Sequence, residues 1–224
     1  MKRATTAARK PPPEVIETFD CEQRGEDWYA LRLGLVTASV LSAVMAGSEE
    51  RRMRSKLLYR LAAEKITRQP METFSNDAMA RGVALEPEAL EHYAFTRGVE
   101  LERVGFVRRT MRKFGGDIVV GCSPDSLVGK DGMVQIKTMQ PDLLVELVDN
   151  GRFPSEHRWQ CHGELCFSGR RWCDLMVYWP GFPNPPSWRI ERDESTCRQI
   201  ENEVEKFDWE LRELVKRIEA RRGR

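Results

Sequence analysis

The chain has 224 residues, and its 36 Lys and Arg residues nearly balance 35 Asp and Glu residues, giving a formal net charge of +1. This length suits one α/β domain with its own core, and the charge balance excludes binding of nucleic acid by overall basic character, so any such contact needs local basic patches. Six cysteines without a CxxC pair, no secretory signal and no apolar run of about 18 residues predict a soluble, cytoplasmic protein with reduced thiols.

The N-terminal half of the chain is predicted to be largely helical. Residues 1–13 combine basic residues with a run of three prolines, so we expect a flexible basic arm ahead of one domain that spans 14–224. Thr37 suits the N-cap of a helix, and Pro87 predicts a kink or a new helical segment inside a longer helix. The helices predicted in this half span residues 26–33, 37–45, 49–67 and 76–97.

The C-terminal half alternates short strands with helices, which predicts an α/β fold with a central mixed sheet flanked by helices. From Glu194 to the end, apolar residues at four- and three-residue spacing form one seam of a long helix, which packs on the sheet or against another subunit. The seam comprises Ile200, Val204, Phe207, Leu211, Leu214 and Ile218. The other elements predicted here are strands at 99–103, 106–109, 118–122, 133–137, 173–179 and 188–191, a helix at 155–167 and a loop at 180–186.

Residues 121–137 carry a predicted β-hairpin with its turn at residues 130–132. Because side chains alternate along a strand, Gln135 and Lys137 share one face, and the hairpin can fold Asp125 back toward them. A carboxylate, a second oxygen donor and a lysine together suit metal-dependent hydrolysis of a phosphodiester. In isolation, Asp125 would more often be a turn residue and Lys137 an exposed strand lysine.

The Asp125…Gln135-Ile136-Lys137 layout resembles the PD-(D/E)XK nuclease motif, in which an Asp and an acidic residue bind Mg²⁺ beside a Lys. Three further segments narrow the resemblance to the lambda exonuclease family, the YqaJ-type phage recombinases. They are Trp28-Tyr29-Ala30-Leu31-Arg32-Leu33-Gly34-Leu35-Val36-Thr37-Ala38-Ser39, the pair Arg81-Gly82 followed by Glu86, and Gln160 in the helix after the hairpin. The resemblance runs from about residue 23 to about residue 167 and implies a restriction-endonuclease-like core.

This resemblance also implies a cofactor and roles for individual residues. Mg²⁺ is the expected metal, with Mn²⁺ as an alternative. Glu86 would bond waters of the metal, and Gln160 would orient Lys137 or a phosphate; the alternatives are a surface glutamate near a helix start and a helix-surface amide. The implied catalytic residues are Lys137, Glu86, Asp125, Gln135 and Gln160, and the implied metal ligands are Asp125, Gln135 and Ile136.

Arg32 and Ser39 indicate a second site, which binds an anion. The helix predicted after Thr37 begins with free backbone N–H groups, to which Ser39 adds a hydroxyl and Arg32 a bidentate guanidinium. Together they resemble the family's pocket for the 5′-phosphate of a DNA end, to which Ser123 would contribute. The resemblance also makes Met79 an apolar wedge that parts the terminal base pairs, although a methionine on a helix is usually a core residue.

Other basic residues are expected to follow the DNA backbone through sequence-independent, salt-sensitive contacts. For each of them, a solvated helix or loop face is the alternative. They are Arg51, Arg52, Arg54, Arg108, Arg109, Arg112 and Lys113.

Gln135 departs from the resemblance, because the family has a glutamate at this position. An amide oxygen still ligates Mg²⁺, but the site loses one negative charge, so metal occupancy falls and the rate drops by roughly 10²–10³ or more. We interpret Gln135 either as an introduced Glu→Gln change that preserves substrate in the site or as a natural glutamine with reduced or altered metal use.

The resemblance implies a Mg²⁺-dependent 5′→3′ exonuclease on double-stranded DNA ends, which releases 5′-mononucleotides and leaves a 3′ single strand for recombination by annealing. It further implies a homotrimeric ring around DNA, a single-strand annealing protein as partner, and a bacterial host cytoplasm with a phage or prophage origin. Two alternatives stay open. One is a restriction-like or repair endonuclease, against which Arg32 and Ser39 argue; the other is a catalytically inert DNA-binding recombination scaffold, with Gln135 as its signature.

Overall fold

The structure of the chain, a computed structural model, describes residues 14–47, 51–71, 76–113 and 115–222. The arm predicted for residues 1–13 lies outside these residues. The strands are β1 (Val15–Phe19), β2 (Val36–Thr37), β3 (Leu101–Glu102), β4 (Phe106–Met111), β5 (Ile118–Cys122), β6 (Ser126–Val128), β7 (Gly132–Thr138), β8 (Trp172–Tyr178) and β9 (Ser187–Glu191). The helices are α1 (Glu26–Arg32), α2 (Leu41–Val44), α3 (Arg51–Thr67), α4 (Asp77–Arg97), α5 (Pro141–Asn150), α6 (Arg158–Ser168) and α7 (Glu194–Arg222), and 3₁₀ turns span Ala38–Val40 and Ser155–His157.

The predicted α/β fold is confirmed, but its strands form two mixed sheets rather than one central sheet. The first has the order β1-β4-β5-β2 and the second the order β3-β6-β7-β8-β9. Each sheet contains one parallel pair, β2 with β5 and β7 with β8, and its other pairs are antiparallel. The predicted hairpin is the pair β6–β7, and β5 belongs to the other sheet.

The chain passes from the first sheet to the second through Ser123, Pro124 and Asp125, which separate β5 from β6. Proline has no N–H to donate to a ladder, so Pro124 ends the pairing of β5 and lets the chain change sheets. Asp125 therefore lies at the junction of the two sheets, next to strand β6. This junction positions the site described below.

Strand β7 is buried on both faces. Val134 and Ile136 pack with Ala89, Leu90 and other residues of a small core under helix α4. On the opposite face, Met133 belongs to the larger core, which includes residues of both sheets and of α3, α6 and α7. Since Gln135 shares the Met133 face and is only 4% exposed, it is a polar side chain in an otherwise apolar strand.

Helix α6 packs unusually close to its neighbours in the larger core. A Cβ built on Gly163 would lie 2.1 Å from Leu41 Cδ1 and 3.2 Å from Ala38 Cβ, so only glycine fits where α6 crosses the 3₁₀ turn and α2. Helix α6 is thereby held against the first sheet. Its buried side also contacts β8, and the negative charge of Asp125 reaches Glu164 on this side of α6.

The long helices follow the sequence predictions with two differences. Helix α4 continues through Pro87, which lies inside it without ending it. The apolar seam of α7 is buried within the chain, except that Ile218 is half-buried, and it packs mainly against α3 and α6 rather than on a sheet. No helix among the described residues is both long and apolar enough to cross a bilayer.

Candidate active site

Asp125 and Gln135 are joined directly by a hydrogen bond. Gln135 Nε2 donates to Asp125 Oδ2 at 2.7 Å, and the backbone N–H of Ile136 donates to the same oxygen at 2.6 Å. The hairpin register, in which Ser126 is opposite Val134, makes this contact because Asp125 immediately precedes β6. The structure therefore brings these three residues together, as the sequence predicts, and Asp125 Oδ1 is the oxygen left to a ligand.

The oxygen of the Gln135 amide is the second donor atom of this centre. Gln135 Oε1 is buried and has no hydrogen-bond partner among the described residues. A buried acceptor without a partner costs free energy, and a hard cation would remove that cost. The oxygen donors therefore fit Mg²⁺ in kind, with one fewer negative charge than a pair of carboxylates. The described residues contain no group of three or more His, Cys, Asp or Glu side chains that could hold a metal ion.

Lys137 and Glu86 act electrostatically on Asp125 from two sides. Burial raises the pKa of the Asp125 carboxyl to about 6; the positive charge of Lys137 opposes this rise, and the negative charge of Glu86 adds to it. Glu86 is held by Arg24, whose Nη2 donates to Glu86 Oε2 at 3.1 Å. The partly exposed ammonium of Lys137 follows Gln135 along the strand, so the centre has one cationic and two acidic groups.

Gln160 is oriented by a residue other than the one expected. Its Nε2 donates to Glu164 Oε1 at 2.9 Å, one turn further along α6, rather than to Lys137 or a phosphate. Glu164 is 1% exposed, and burial raises the pKa of its carboxyl well above the usual range. Burial thus favours the protonated form of Glu164, whose carboxyl oxygen fixes the amide of Gln160.

Arg32 is the centre of a cluster of hydroxyl groups, as its predicted role in anion binding requires. Its Nη1 donates to Ser123 Oγ at 3.1 Å, and its Nη2 donates to the hydroxyls of Thr37 and Ser39, each at 3.4 Å. The guanidinium stacks on the indole ring of Trp28 at 3.9 Å from the ring centre. These contacts hold the guanidinium in one orientation beside three hydroxyl groups.

Thr37 occupies the expected N-cap position but does not cap a helix with its side chain. Its hydroxyl lies 3.1 Å from Ser39 Oγ, and the segment that follows is a 3₁₀ turn of three residues and an α-helix of four. So short a helix has little dipole, and the prediction of an anion site at a helix N-terminus was wrong in that respect. The hydroxyls and guanidinium form the site instead.

A cleft of about 650 Å³ opens beside this cluster, and Met79 lies on its wall. Met79 is 53% exposed on the first turn of α4, so it is not a core residue. Arg24 lines the same cleft and bonds Glu86, which connects the cleft to the Asp125 centre. A second connection between the cleft and the Asp125 centre is the chain itself, because Ser123 and Asp125 are only two positions apart.

The basic residues expected to follow DNA fall into two groups. Arg51 and Arg52 are exposed at the start of α3, as that prediction requires. Arg54 lies in the same turn, but its guanidinium makes a two-bond pair with the carboxylate of Glu210 on α7. Arg54 is therefore a link between two helices in this structure, and its role in DNA binding stays a prediction.

The basic residues of the β4–β5 region are paired with acidic side chains within the chain. For the buried Arg109 this contradicts the prediction, whereas for the partly exposed Arg108, Arg112 and Lys113 DNA binding stays a prediction. Arg109 is 5% exposed and binds Glu201 Oε1 and the carbonyl of Cys166, each at 2.7 Å, as well as Glu14. Arg108 is paired with Glu17 on the neighbouring strand. The remaining pairs are Arg112 with Asp117, and Lys113 with Glu201 and Glu205. The sequence does not reveal these partners, because they come from distant segments.

Three residues of the site were not assigned a role from sequence. Trp28, whose Nε1 donates to Ser123 Oγ at 2.8 Å, was quoted only as part of a motif. Glu164 reads as an ordinary helix residue, although it stands between apolar neighbours on the buried side of α6. Arg60 also lines the cleft but is one of several basic residues of α3. A charged residue inside an apolar helical face was the available signal for Glu164.

Comparisons with known proteins match this architecture. Residues 27–171 match the YqaJ-like viral recombinase domain. The alkaline exonuclease LHK-Exo from Laribacter hongkongensis is similar in structure, with a TM-score of 0.76 and 30% identity over 89% of this chain and 98% of that one. The same enzyme in complex with dAMP gives a TM-score of 0.76 and 31% identity over the same shares.

A more distant structure shares the fold alone. A phage-related exonuclease from Haemophilus somnus 129PT has a TM-score of 0.57 at 11% identity, over 82% of this chain and 96% of that one. No curated protein sequence matches the chain.

Proposed function

The chain belongs to the YqaJ-like viral recombinase domain family and is a homologue of an alkaline exonuclease, and from this membership we propose its reaction. It is a 5′→3′ exonuclease that acts on double-stranded DNA ends and depends on Mg²⁺, for which Mn²⁺ can substitute. It releases 5′-mononucleotides and leaves a 3′ single-stranded overhang. Gln135 makes this chain a weakened form of such an enzyme.

The observation that supports this proposal is that residues 123–125 contribute to both the Arg32 cluster and the Asp125 centre. Ser123 belongs to the hydroxyl cluster around Arg32, and Asp125 belongs to the centre with Gln135 and Lys137. A DNA end with its terminal phosphate at Arg32 would therefore present a following phosphodiester to Asp125. An enzyme that cuts internal bonds has no use for a terminal-phosphate cleft, which disfavours an endonuclease.

The residues of the chain have separate roles in the proposed reaction. Asp125, Gln135 and Ile136 would hold a divalent cation, which would supply charge neutralisation at the scissile phosphate and activate the attacking water. The ammonium of Lys137 donates a hydrogen bond to the attacking water or to a phosphate oxygen and stabilises developing negative charge. Glu86 accepts hydrogen bonds from ordered waters, and Arg24 fixes its carboxylate.

Binding at the cleft accounts for the polarity of digestion. Arg32, Ser39 and Ser123 bind the 5′-phosphate, and Met79 at the wall of the cleft separates the terminal base pair. The similar enzyme LHK-Exo has been crystallised in complex with dAMP, a mononucleotide, which supports a mononucleotide as the product of this chain. After each hydrolysis the shortened strand again has a 5′-phosphate, so the cleft can bind the new end.

A catalytically inert DNA-binding scaffold is the second candidate, and the Gln135–Asp125 hydrogen bond favours it. The amide of Gln135 satisfies Asp125 Oδ2 without any cation, whereas a glutamate there would face Asp125 as a like charge. This hydrogen bond needs no metal, although Gln135 Oε1 stays without a partner. A pair that is joined without metal suits a protein that binds DNA ends without cutting them.

The proposed surroundings of the enzyme follow from its family. We propose that three copies assemble as a ring around DNA, and that the 3′ strand is passed to a single-strand annealing protein in recombination of phage or prophage origin. The exposed Arg51 and Arg52 contact the DNA backbone in this arrangement. The reaction takes place in the cytoplasm of a bacterial host.

Digestion of a linear 5′-phosphorylated duplex with Mg²⁺ tests the proposal, with the chain compared with its Gln135→Glu variant. We expect Gln135→Glu to be faster by about 10²–10³, because it restores a carboxylate to the cation site. A Gln135→Glu, Asp125→Asn double variant is the matched control and should be inactive. Closed circular duplex should resist all three proteins; cleavage of the circle would instead indicate an endonuclease, and silence of Gln135→Glu on linear duplex the inert scaffold.

A further inference from the structure

Arg60 introduces another guanidinium into the cleft that holds Arg32. Arg60 lies on α3 and lines the same cavity as Arg32. Its Nε is buried and has no hydrogen-bond partner among the described residues. A third of its side chain is exposed, so it is accessible to a ligand that enters the cleft. A charged donor left without an acceptor needs one from outside the chain.

Glu64, the nearest carboxylate to Arg60, does not satisfy it. Glu64 Oε1 lies 4.0 Å from Arg60 Nε, which is too long for a hydrogen bond. The other oxygen, Oε2, accepts a hydrogen bond of 2.9 Å from the backbone N–H of Gly34. Glu64 is also buried, so it stays in place to fix the loop between α1 and β2 and cannot turn toward Arg60.

Arg32 does not bond this carboxylate either. Its described hydrogen bonds go to the hydroxyls of Ser123, Thr37 and Ser39. Burial lowers the pKa of the Arg32 guanidinium to about 10, and the positive charge of Arg60 adds to this decrease. Three arginines, Arg24, Arg32 and Arg60, line the cleft, and Arg24 is paired with Glu86. Glu64 is the single carboxylate among the described lining residues, so the cleft has an excess of positive charge.

We propose that Arg60 is a specificity-determining residue that binds the terminal phosphomonoester together with Arg32. A phosphomonoester carries nearly two negative charges near neutral pH, whereas a phosphodiester carries one and a 5′-hydroxyl none. Guanidiniums from two different helices, α1 and α3, match the charge of the dianion and supply it with several N–H donors. Arg60 thus sets the preference for a phosphorylated end over a hydroxyl end. This inference rests on the proposed end-dependent function.

Binding of DNA ends without divalent metal tests Arg60 separately from hydrolysis. Short duplexes with a 5′-phosphate or a 5′-hydroxyl are titrated in EDTA by fluorescence anisotropy, so Gln135 does not affect the result. The proteins compared are the unchanged chain, Arg60→Gln, Arg60→Lys and Arg52→Gln. Arg52 is exposed on the same helix and outside the cleft, so its variant controls for the loss of one positive charge from α3.

We expect the unchanged chain to prefer the phosphorylated end and Arg60→Gln to lower that preference about tenfold, by weaker binding of the phosphorylated duplex alone. Arg60→Lys keeps the charge without the planar fork and should fall between them. Arg52→Gln should weaken both duplexes alike and leave the ratio unchanged. A purely structural role for Arg60 would not alter this ratio.

The possible outcomes distinguish failure of the proposed role of Arg60 from failure of the proposed end-dependent function. Equal binding of both ends by the unchanged chain would reject terminal-phosphate recognition, and with it both proposals. A clear preference that persists in Arg60→Gln overturns the role of Arg60 alone. Thermal unfolding checks that the variants are folded; if Arg60→Gln is not, an undiminished preference in the folded Arg60→Lys overturns the inference equally well.

Discussion

Glu164 is the residue whose environment departs most from that of an ordinary side chain of its type. It is 1% exposed on α6, and its nearest polar partners are Gln160 and the thiol of Cys173. Burial of a carboxylate without a cationic partner raises its pKa, so the folded chain keeps a proton that the unfolded chain releases. Glu164 therefore lowers stability as the pH rises above the carboxyl pKa of the unfolded chain.

Glu164→Gln removes this pH dependence while keeping an oxygen that accepts the Gln160 bond. The unfolded carboxylate ionises above about pH 4.5 and the folded one does not, so the advantage of the variant grows by up to about 1.4 kcal/mol per pH unit. Urea unfolding at pH 5 and at pH 8 measures the two differences. The exposed Glu146→Gln on α5 is the control, and an equal effect of Glu164→Gln at both pH values would contradict this account.

The residues of the site differ in how far the sequence could predict them. Asp125 and Gln135 meet through a hairpin, so a short-range pattern was sufficient to place them together. Arg32 of α1 and Arg60 of α3 line the same cleft because of tertiary packing, which the spacing of residues along the chain does not predict. Arg109 was assigned to DNA because its partner Glu201 lies 92 positions away.

Among the elements, α6 depends most on close approach to its neighbours. At Gly163 a side chain would enter the space of Leu41 and Ala38, which have no room to move because both are nearly fully buried. This contact holds α6 against the first sheet, and α6 in turn carries Gln160 and Glu164. The position of Gln160 and Glu164 thus depends on the absence of a side chain at position 163.

Gly163→Ala should lower the free energy of unfolding by about 1–3 kcal/mol, since a Cβ 2.1 Å from Leu41 Cδ1 forces the helix outward. Gly47→Ala is the matched control, because its Cβ would meet nothing within 4 Å. Chemical denaturation of both variants measures the difference. Equal stability of the two would show that α6 has freedom to shift.

The sequence failed to predict α5, β1 and the division into two sheets, and each failure has its own physical cause. Helix α5 contains the run Leu143-Leu144-Val145-Glu146-Leu147-Val148, and a short apolar run does not distinguish helix from strand. Strand β1 pairs with β4, about ninety residues later, so its partner is not a local one. The division into two sheets depends on tertiary packing around Pro124. Long elements with a clear period, such as α7, were predicted with nearly the observed bounds.

At the scale of the whole molecule, the charges are nearly balanced in number but not in position. Basic residues near β4 and along α7 are paired with acidic neighbours, as Arg108 is with Glu17 and Arg212 with Asp208. In the cleft, the two guanidiniums of Arg32 and Arg60 lie with one carboxylate, Glu64, which hydrogen-bonds neither of them. A net charge of +1 therefore hides a local excess of positive charge where a DNA end is proposed to bind.

The proposed ring predicts a definite mass in solution. Light scattering coupled to gel filtration should give three times the mass of one chain, because a closed ring of three encircles the duplex and keeps hold of it. Digestion by Gln135→Glu in the presence of excess unlabelled competitor duplex should then continue on the strand already bound. A monomer that releases its substrate after each hydrolysis would contradict the ring.

Ser123 and Asp125 are separated by the single residue Pro124, and this spacing has a consequence for product length in the proposed reaction. Ser123 bonds Arg32 in the cleft, and Asp125 lies in the centre, so a covalent segment that spans at most about 7 Å connects the two points of contact with the strand. Gln23 Nε2 anchors this segment by donating to the carbonyl of Pro124 at 3.0 Å. Because this segment fixes the distance between the two contacts, only one nucleotide fits between the bound DNA end and the bond that is hydrolysed. We therefore expect the increment of digestion to stay at a single nucleotide whatever the base sequence, because the protein measures backbone length and reads no base.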